Sequence, residues 1–516
     1  MRKGSLIIFC LFLVATVLAQ KVIPIRIEVP TDIDVEKFHV EPLDEDGVLI
    51  FYESNEVNIS EERKWYFGLF NTKMKQQWLK FVPLPDKIDY IETKQFSNKL
   101  YILFKNNTSS RGDNGFYEIV SYNIKSGAFS KVSGTIPEKA KIAGFDVLGN
   151  TGCLVLNLKD EDSDLLFIDL VDGSIIPVRV QEDVVSQFQT LYADRRTNKF
   201  YLVIKNIKDK RYMHDEILRF SKEGKQEKVL PIESVQALKL LRTFVFVPAG
   251  NNELVIMGTY DIITGKVSSF RDLEGTEEAK GAGMFFLKFE NDEQKMIKFH
   301  DFMSFENVYG TLGNRQMDYS KNKNTNDGQS AKTLMAFYHM LTPEVIKVKD
   351  QYVFSVEVYK PNYRAETRMD YDYYGRPTPY TYNIFDGYKF YDIILTGVSE
   401  NGDLIWNNDF VIRDLKSYSL SRNCIVFQDD DFISMAYVNN GKVISQTIEG
   451  PIDIGSAEIE IDTKLKKDRI TADENNFIIP WYDDFFLIYG YQKLNNRTLG
   501  DQSIRTVFYA NKIAYQ

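Results

Sequence analysis

The feature that most limits what this chain can fold into is a recurring unit of short strands that no single copy could bury alone. The clearest copy is residues 142–178. Within it, 152–158 is an apolar run, 160–164 is a polar turn of Asp, Glu and Ser, and 165–170 is a second apolar strand. Asp172-Gly173 then makes a tight turn, because glycine tolerates the positive φ such turns need, and 174–178 leaves as a third strand. A meander of three or four strands cannot cover both of its own faces, so it must stack on neighbours like itself.

Compact apolar strands recur at 48–52, 100–104, 152–158, 200–204, 253–257, 351–356, 431–435 and 485–489. A second strand and a turn commonly follow, as in 116–123 before Lys125-Ser126-Gly127, or 393–398 before Glu400-Asn401-Gly402. Eight starts, mostly about fifty residues apart with two wider gaps in the middle, fit the ~40–50-residue blades of a β-propeller, although no WD or kelch signature is present. Helical periodicity is almost absent; only 235–241 could make one or two turns. The expected fold is therefore all-β, a β-propeller of seven or eight four-stranded antiparallel blades. Two smaller β domains in tandem, or a pair of β-sandwiches, are the rivals. Residues 21–29 (KVIPIRIEV) alternate apolar and polar side chains and read as an isolated strand, available to pair with the last blade and close the ring.

Residues 1–19 read as a secretory signal peptide and not as part of the fold. Arg2 and Lys3 form its positive start, 6–18 is apolar, and Val17-Leu18-Ala19 precedes the cleavage point before Gln20. No later stretch approaches the ~20 apolar residues of a spanning helix, so no membrane span is expected. The expected organisation is a leader at 1–19 and one propeller domain at 20–516, with insertions at 305–332 and 359–391. The expected location is outside the cytoplasm: secreted, periplasmic or on the cell surface. The net charge is −10, and two units lower without the leader. An acidic chain without basic tracts argues against nucleic acid or an anionic membrane as partner, and leaves protein and glycan partners open. Oligomeric state is not legible. Beyond Cys10 in the leader, the cysteines are Cys153 and Cys424, both in apolar strands. They read as small core residues, with a bridge between them as the alternative.

The insertion at 305–332 is polar and rich in Asn, Lys and Gly, and reads as a loop. The one at 359–391, YKPNYRAETRMDYDYYGRPTPYTYNIFDGYKFY, is chemically richer. Tyrosine offers a flat apolar face and a polar tip at small entropic cost, which suits protein interfaces and stacking against sugar rings. Tyr363, Tyr371, Tyr373, Tyr374, Tyr380 and Tyr382 are the candidate binding residues. The competing reading is an extended hairpin whose tyrosines pack on the blades beneath. Trp406, after a blade turn, reads as packing between blades.

No residue is singled out as catalytic, as a metal ligand or as a cofactor holder. His39, His214, His300 and His339 lie far apart, and no H-E-x-x-H, C-x-x-C, G-x-S-x-G, Walker A or G-x-G-x-x-G occurs. Asp160, Asp162 and Asp164 begin like a calcium loop, but Leu165 and Val171 stand where Gly and Glu are required. Arg111-Gly112-Asp113 is an adhesion-type tripeptide of the kind that arises by chance, and Asn58, Asn106, Asn107 and Asn496 open glycosylation sequons.

The signal peptide, the blade rhythm, and the run Gly387-Tyr388-Lys389-Phe390-Tyr391 leading into Gly402-Asp403-Leu404-Ile405-Trp406 give the chain a resemblance. It resembles the large uncharacterised secreted propeller-like proteins of Bacteroidetes-type bacteria, and no activity is carried over from that group. Two functions follow as expectations. The first is a non-enzymatic binding or scaffold module of the cell envelope, with the tyrosine-rich insertion as its surface. The second is a glycan-acting hydrolase with paired carboxylates in the central funnel.

Overall fold

The structure, a computed structural model, describes residues 25–31, 37–106, 115–158, 163–180, 185–208, 212–233, 239–250, 252–262, 281–308, 312, 338–371, 373–429 and 431–514. The leader at 1–19, Asp160 and Asp162, the tripeptide at 111–113 and most of 305–332 lie outside them.

Eight antiparallel sheets follow one another along the chain. Blades 1 to 7 occupy 38–85, 88–136, 141–179, 185–232, 239–301, 339–411 and 424–460, and blade 8 combines 469–514 with 25–30. Each is built on a path of four strands, with the first strand of blades 5 and 6 split into two short pieces. First strands of adjacent blades approach one another, 88–96 beside 141–148 and 141–148 beside 185–194, which puts them on the axis side. Seven of the eight strand starts read from the sequence fall in second strands, from Val48–Val57 in blade 1 to Phe485–Asn495 in blade 8, and the start at 431 precedes its strand, Phe432–Asn439, by one residue. The turn at Asp172-Gly173 forms as expected: Gly173 sits at φ 78°, and its N–H donates to the Asp169 carbonyl at 2.8 Å.

The apolar core is divided between the blades. Eight clusters of buried side chains occupy the eight junctions between neighbours. Leu103, Ile119, Phe145 and Leu154, for example, join blades 2 and 3. The junction of blades 8 and 1 is made the same way, by Phe38, Val40 and Ile50 against Trp481, Leu487 and Phe508. So the ring is closed.

The N-terminal strand completes that closure. Ile25–Pro30 pairs antiparallel with Ile504–Ala514 and becomes the outermost strand of blade 8. Arg26 anchors it. Its Nε donates to Glu28 at 2.7 Å, and its other nitrogens donate to Gln492 at 2.8 Å and Asn511 at 3.3 Å. The guanidinium also lies 4.5 Å from the centre of the Tyr509 ring.

Two expectations need correction. The insertion read at 305–332 does not begin as a polar loop, because Phe305, Val308 and Leu312 are buried in the core between blades 5 and 6. Lys239–Leu241, read as part of a helical turn, is a strand, since it pairs with Glu253–Ile262. The insertion at 359–391 lies within blade 6. It extends the hairpin joining the second and third strands of blade 6, and its ends, Tyr359 and Phe390, are core residues of that blade.

The Arg26 side chain is 3% exposed and that of Glu28 6%. Removing one partner of so buried a pair costs about 3–5 kcal/mol. Arg26→Ala is therefore expected to lower the urea midpoint markedly, and Arg26→Met with Glu28→Gln to recover most of the loss. An Arg26→Ala midpoint equal to wild type would show that closure does not depend on this network.

Candidate functional site

Blade 6 carries the feature that departs most from its neighbours. Its second and third strands, Gln351–Tyr371 and Pro377–Ser399, run on in register beyond the blade. From Tyr363 to Phe385 they form a two-stranded arm, roughly 25–30 Å long at ~3.3 Å per residue. Pairing is unbroken from Tyr363 opposite Phe385 to Tyr371 opposite Pro377. Alternation sorts the side chains onto two faces. One carries Tyr363, Met369, Tyr371 and Phe385; the other carries Arg364, Glu366, Arg368, Asp370, Tyr380 and Tyr382. At the tip, the Tyr373 and Tyr374 rings meet edge-on at 5.5 Å, with the Arg376 guanidinium 5.7 Å from Tyr374.

All six candidate tyrosines lie on this arm, and all are exposed: Tyr363 57%, Tyr371 70%, Tyr373 97%, Tyr374 78%, Tyr380 49% and Tyr382 46%. The hairpin reading was right in form, but these tyrosines stand clear of the blades. Those at the root behave differently. Tyr359 is buried, and Tyr388 and Tyr391 are half-buried.

The root is braced. An aromatic ladder runs from Tyr359 to Tyr388 at 5.6 Å, Tyr388 to Phe385 at 5.0 Å, and Phe385 to Tyr363 at 5.8 Å. A bulge between Pro361 and Tyr363 turns the arm away from the blade. Gly387, at φ 80°, occupies the bend, where a Cβ would sit 2.9 Å from the Ser417 carbonyl oxygen. The neighbouring Asp386 carboxylate accepts from Asn362 at 3.1 Å, Lys416 at 3.1 Å and the Tyr418 hydroxyl at 2.9 Å. Below it, Glu357 joins blade 6 to blade 7 by accepting the backbone N–H groups of Asn423 at 3.0 Å and Cys424 at 2.9 Å. Burial pushes its carboxyl up to about 7, against the opposing pull of those two donors.

Carboxylates also sit on the axis-side strands. Glu41 accepts from the Tyr90 hydroxyl at 3.3 Å, and Glu92 pairs with Lys94 at 2.9 Å. Asp146 accepts from the N–H groups of Val147 at 2.8 Å and Ala193 at 3.1 Å. Burial raises the pKa of all three, with Lys94 opposing it for Glu92 and Asp146. Among the described residues no group of three or more His, Cys, Asp or Glu is placed to hold a metal ion.

A cleft of about 730 Å³ opens between blades 4 and 5, at the opposite end of the strands from the arm. Its walls are paired charges. Arg219 donates to both oxygens of Asp292 at 2.6 and 3.1 Å, and Lys199 contacts Glu227. These side chains come from separate strands and turns, so no local motif in the sequence signals the cleft.

The remaining sequence candidates disperse. Cys153 and Cys424 are free and buried, in blades 3 and 7. The four histidines lie in blades 1, 4, 5 and 6. Trp406 packs between blades 6 and 7, donating to Gln351 at 2.9 Å. Asn496 is buried, and its side-chain oxygen caps the N–H of Thr498 at 3.1 Å, so this sequon has a structural use.

Glu357 makes a pH prediction. With a folded pKa of about 7 against an ordinary 4.5, the folded chain holds a proton between those values that the unfolded chain has lost. Stability from this group therefore falls as pH rises through that window, by about 3 kcal/mol in all. Melting curves of Glu357→Gln should lack that component of the decline from pH 5 to pH 8. Parallel pH profiles for wild type and variant would refute the assignment.

No protein-family model matches the chain, and no curated protein matches it. Solved structures similar to it include the β-propeller domain of the Trilobed protease from Pyrococcus furiosus, at 9% identity and TM-score 0.34, covering 82% of this chain and 95% of that one. The WD40 domain of SCAP from fission yeast matches at 8% identity and TM-score 0.36, covering 92% and 98%. The polysaccharide lyase Uly1 matches at 9% and 0.34, covering 82% and 89%. Likenesses this distant carry no functional argument, and the fold assignment rests on the sheet topology.

Proposed function

We propose that the chain is a secreted, non-enzymatic binding or scaffold module of the cell envelope, and that the arm of blade 6 is its contact surface. The secreted setting rests on the leader-like character of residues 1–19. The observation that carries the binding reading is the arm itself, which puts six exposed tyrosines, Met369 and Phe385 beyond the ring. Ring folding does not require it. Blade 7 makes the equivalent connection with two residues, Asn440-Gly441, both at positive φ. Between 361 and 388 there are three arginines and no lysine. Tyr and Arg enrichment with Lys depletion is the composition of protein interfaces, where such side chains carry most of the binding energy. A protein ligand therefore fits better than a glycan.

The second reading, a glycan-acting hydrolase, is favoured by the raised pKa values of Glu41, Glu92 and Asp146 on adjacent axis-side strands. A general acid needs such a shift. Against it, Tyr90 of blade 2 engages Glu41 and Ala193 of blade 4 engages Asp146, tying blades together, and Glu92 is paired with Lys94.

The test replaces 363–385 with Asn-Gly and compares this armless chain with Tyr373→Ala/Tyr374→Ala and with wild type. Peptide, envelope-protein and glycan panels are read by thermal shift and by direct binding. The armless chain should melt near wild type and lose the ligand, and the double variant should bind about tenfold or more weakly. Undiminished binding by the armless chain would end the proposal. Glycan turnover that survives arm removal and disappears in Glu92→Gln would establish the second reading.

A further inference from the structure

The arm has two edges, and they are not alike. On the return strand, Pro379 pairs with Met369 and Pro377 with Tyr371. Proline has no N–H to give across the hairpin, so these are pairs whose backbone groups point away from the partner strand. The Thr367 and Thr381 hydroxyls, 3.1 Å apart in a pair of the same parity, fit the closer side-chain approach of such pairs. The return edge is thus blunted by two prolines. The outgoing strand, from Tyr363 to Tyr371, contains neither Pro nor Lys, the usual guards against edge pairing. By the same parity, Tyr363, Ala365, Thr367, Met369 and Tyr371 turn their N–H and C=O groups outward along it.

Among the described residues no strand pairs with that edge, and it is complementary to itself. Laid antiparallel on a second copy about Thr367, the nine residues match at every position. Tyr363 meets Tyr371, Ala365 meets Met369, and Thr367 meets its own equivalent. On the other face Arg364 meets Asp370, and Glu366 meets Arg368. The charge sequence plus, minus, plus, minus becomes four opposed pairs across a two-fold axis. These pairs fall at the non-hydrogen-bonded positions, where facing side chains come closest. The ion pair that Arg368 makes with Glu366 in the single chain, at 2.9 Å, has both side chains exposed, 66% and 37%, so exchanging it costs little.

We propose that two copies of this chain pair through the outgoing edges of their arms, forming a four-stranded sheet across a two-fold axis. The occupant is a second copy because the order of charges selects this strand in this register. The geometry permits it: the antiparallel overlap holds the two rings at opposite ends of the joint, roughly an arm's length apart. An edge of this length makes about ten backbone hydrogen bonds, within the range for a whole interface. The area is small, so the dimer is concentration-dependent. The inference concerns an edge, and it does not depend on what the faces of the arm bind.

Sedimentation velocity of residues 20–516 across a range from about 1 to several hundred micromolar tests it. Wild type should approach twice the chain mass with rising concentration. Glu366→Arg alone and Arg368→Glu alone should each remain monomeric, because each places like charges opposite one another twice. The two single variants mixed in equal amounts should dimerise, and Glu366→Arg/Arg368→Glu in one chain should recover self-association. Wild type that stays monomeric at the highest concentration overturns the proposal, as does a dimer that either single reversal leaves intact. Every tyrosine remains in these variants, so loss of pairing and loss of ligand binding are read separately.

Discussion

A blade of this ring is apolar on both faces, and that requirement governs everything else about the fold. The middle strands meet a neighbour on either side, so no blade is stable at the end of a row. The junction between blades 8 and 1 alone buries ten apolar side chains. At ~1.5 kcal/mol or more each, leaving that junction open would expose roughly 15 kcal/mol of hydrophobic stabilisation. That is as large as the whole net stability of an ordinary domain, about 5–15 kcal/mol. Closure is therefore a condition of folding. It explains why a strand from the far end of the sequence is the outer strand of blade 8, and why Arg26 is tied there by buried polar contacts.

The same double burial decided what could be read in advance. A strand covered on both faces shows as a continuous apolar run, such as Leu100–Phe104 or Phe200–Ile204, and every blade has one such run as its second strand. The outer strands are legible far less often. Ile452–Glu460 is exposed along its whole length, and its Ile, Asp, Gly, Ser and Glu carry no steady period. Split first strands, such as Lys239–Leu241 with Val245–Val247, are too short to show any pattern. The sequence thus narrowed the ring to seven or eight blades, and the structure has eight.

The arm was visible as composition and hidden as shape. A tyrosine-rich stretch can fold back onto a sheet or stand away from it, and the two differ in register and in one bend. Here pairing resumes beyond the bulge at Gly387 and continues to the tip, which lifts the tyrosines out of reach of the blades. Composition placed the start at Tyr359, where polar residues begin to intrude. The physical boundary is nearer Tyr363, because Tyr359 still faces the core and packs on Phe390 at 5.8 Å. The axis-side carboxylates and the cleft between blades 4 and 5 gave no signal, since each assembles residues from strands far apart in the chain.

A two-stranded hairpin is marginal in water by itself, and among the described residues no third strand supports this one. Its root supplies rigidity through Asp386, the aromatic ladder and Gly387, whereas the outer half is held mainly by cross-strand pairs. Such a structure presents two demands at once: cover for an apolar face, and partners for an open edge. Edge pairing between copies meets the second without consuming the first. It sets two apolar faces side by side in one wider sheet and doubles the tyrosine-bearing surface on the other side. A ligand with repeated epitopes would then meet two sites held at a fixed separation, where effective concentrations reach the millimolar range. On this argument the symmetry of the sequence about Thr367 and the crowding of tyrosines around it serve one purpose. On the proposed pairing, the ring would be a rigid body and the arm would make it half of a bivalent surface.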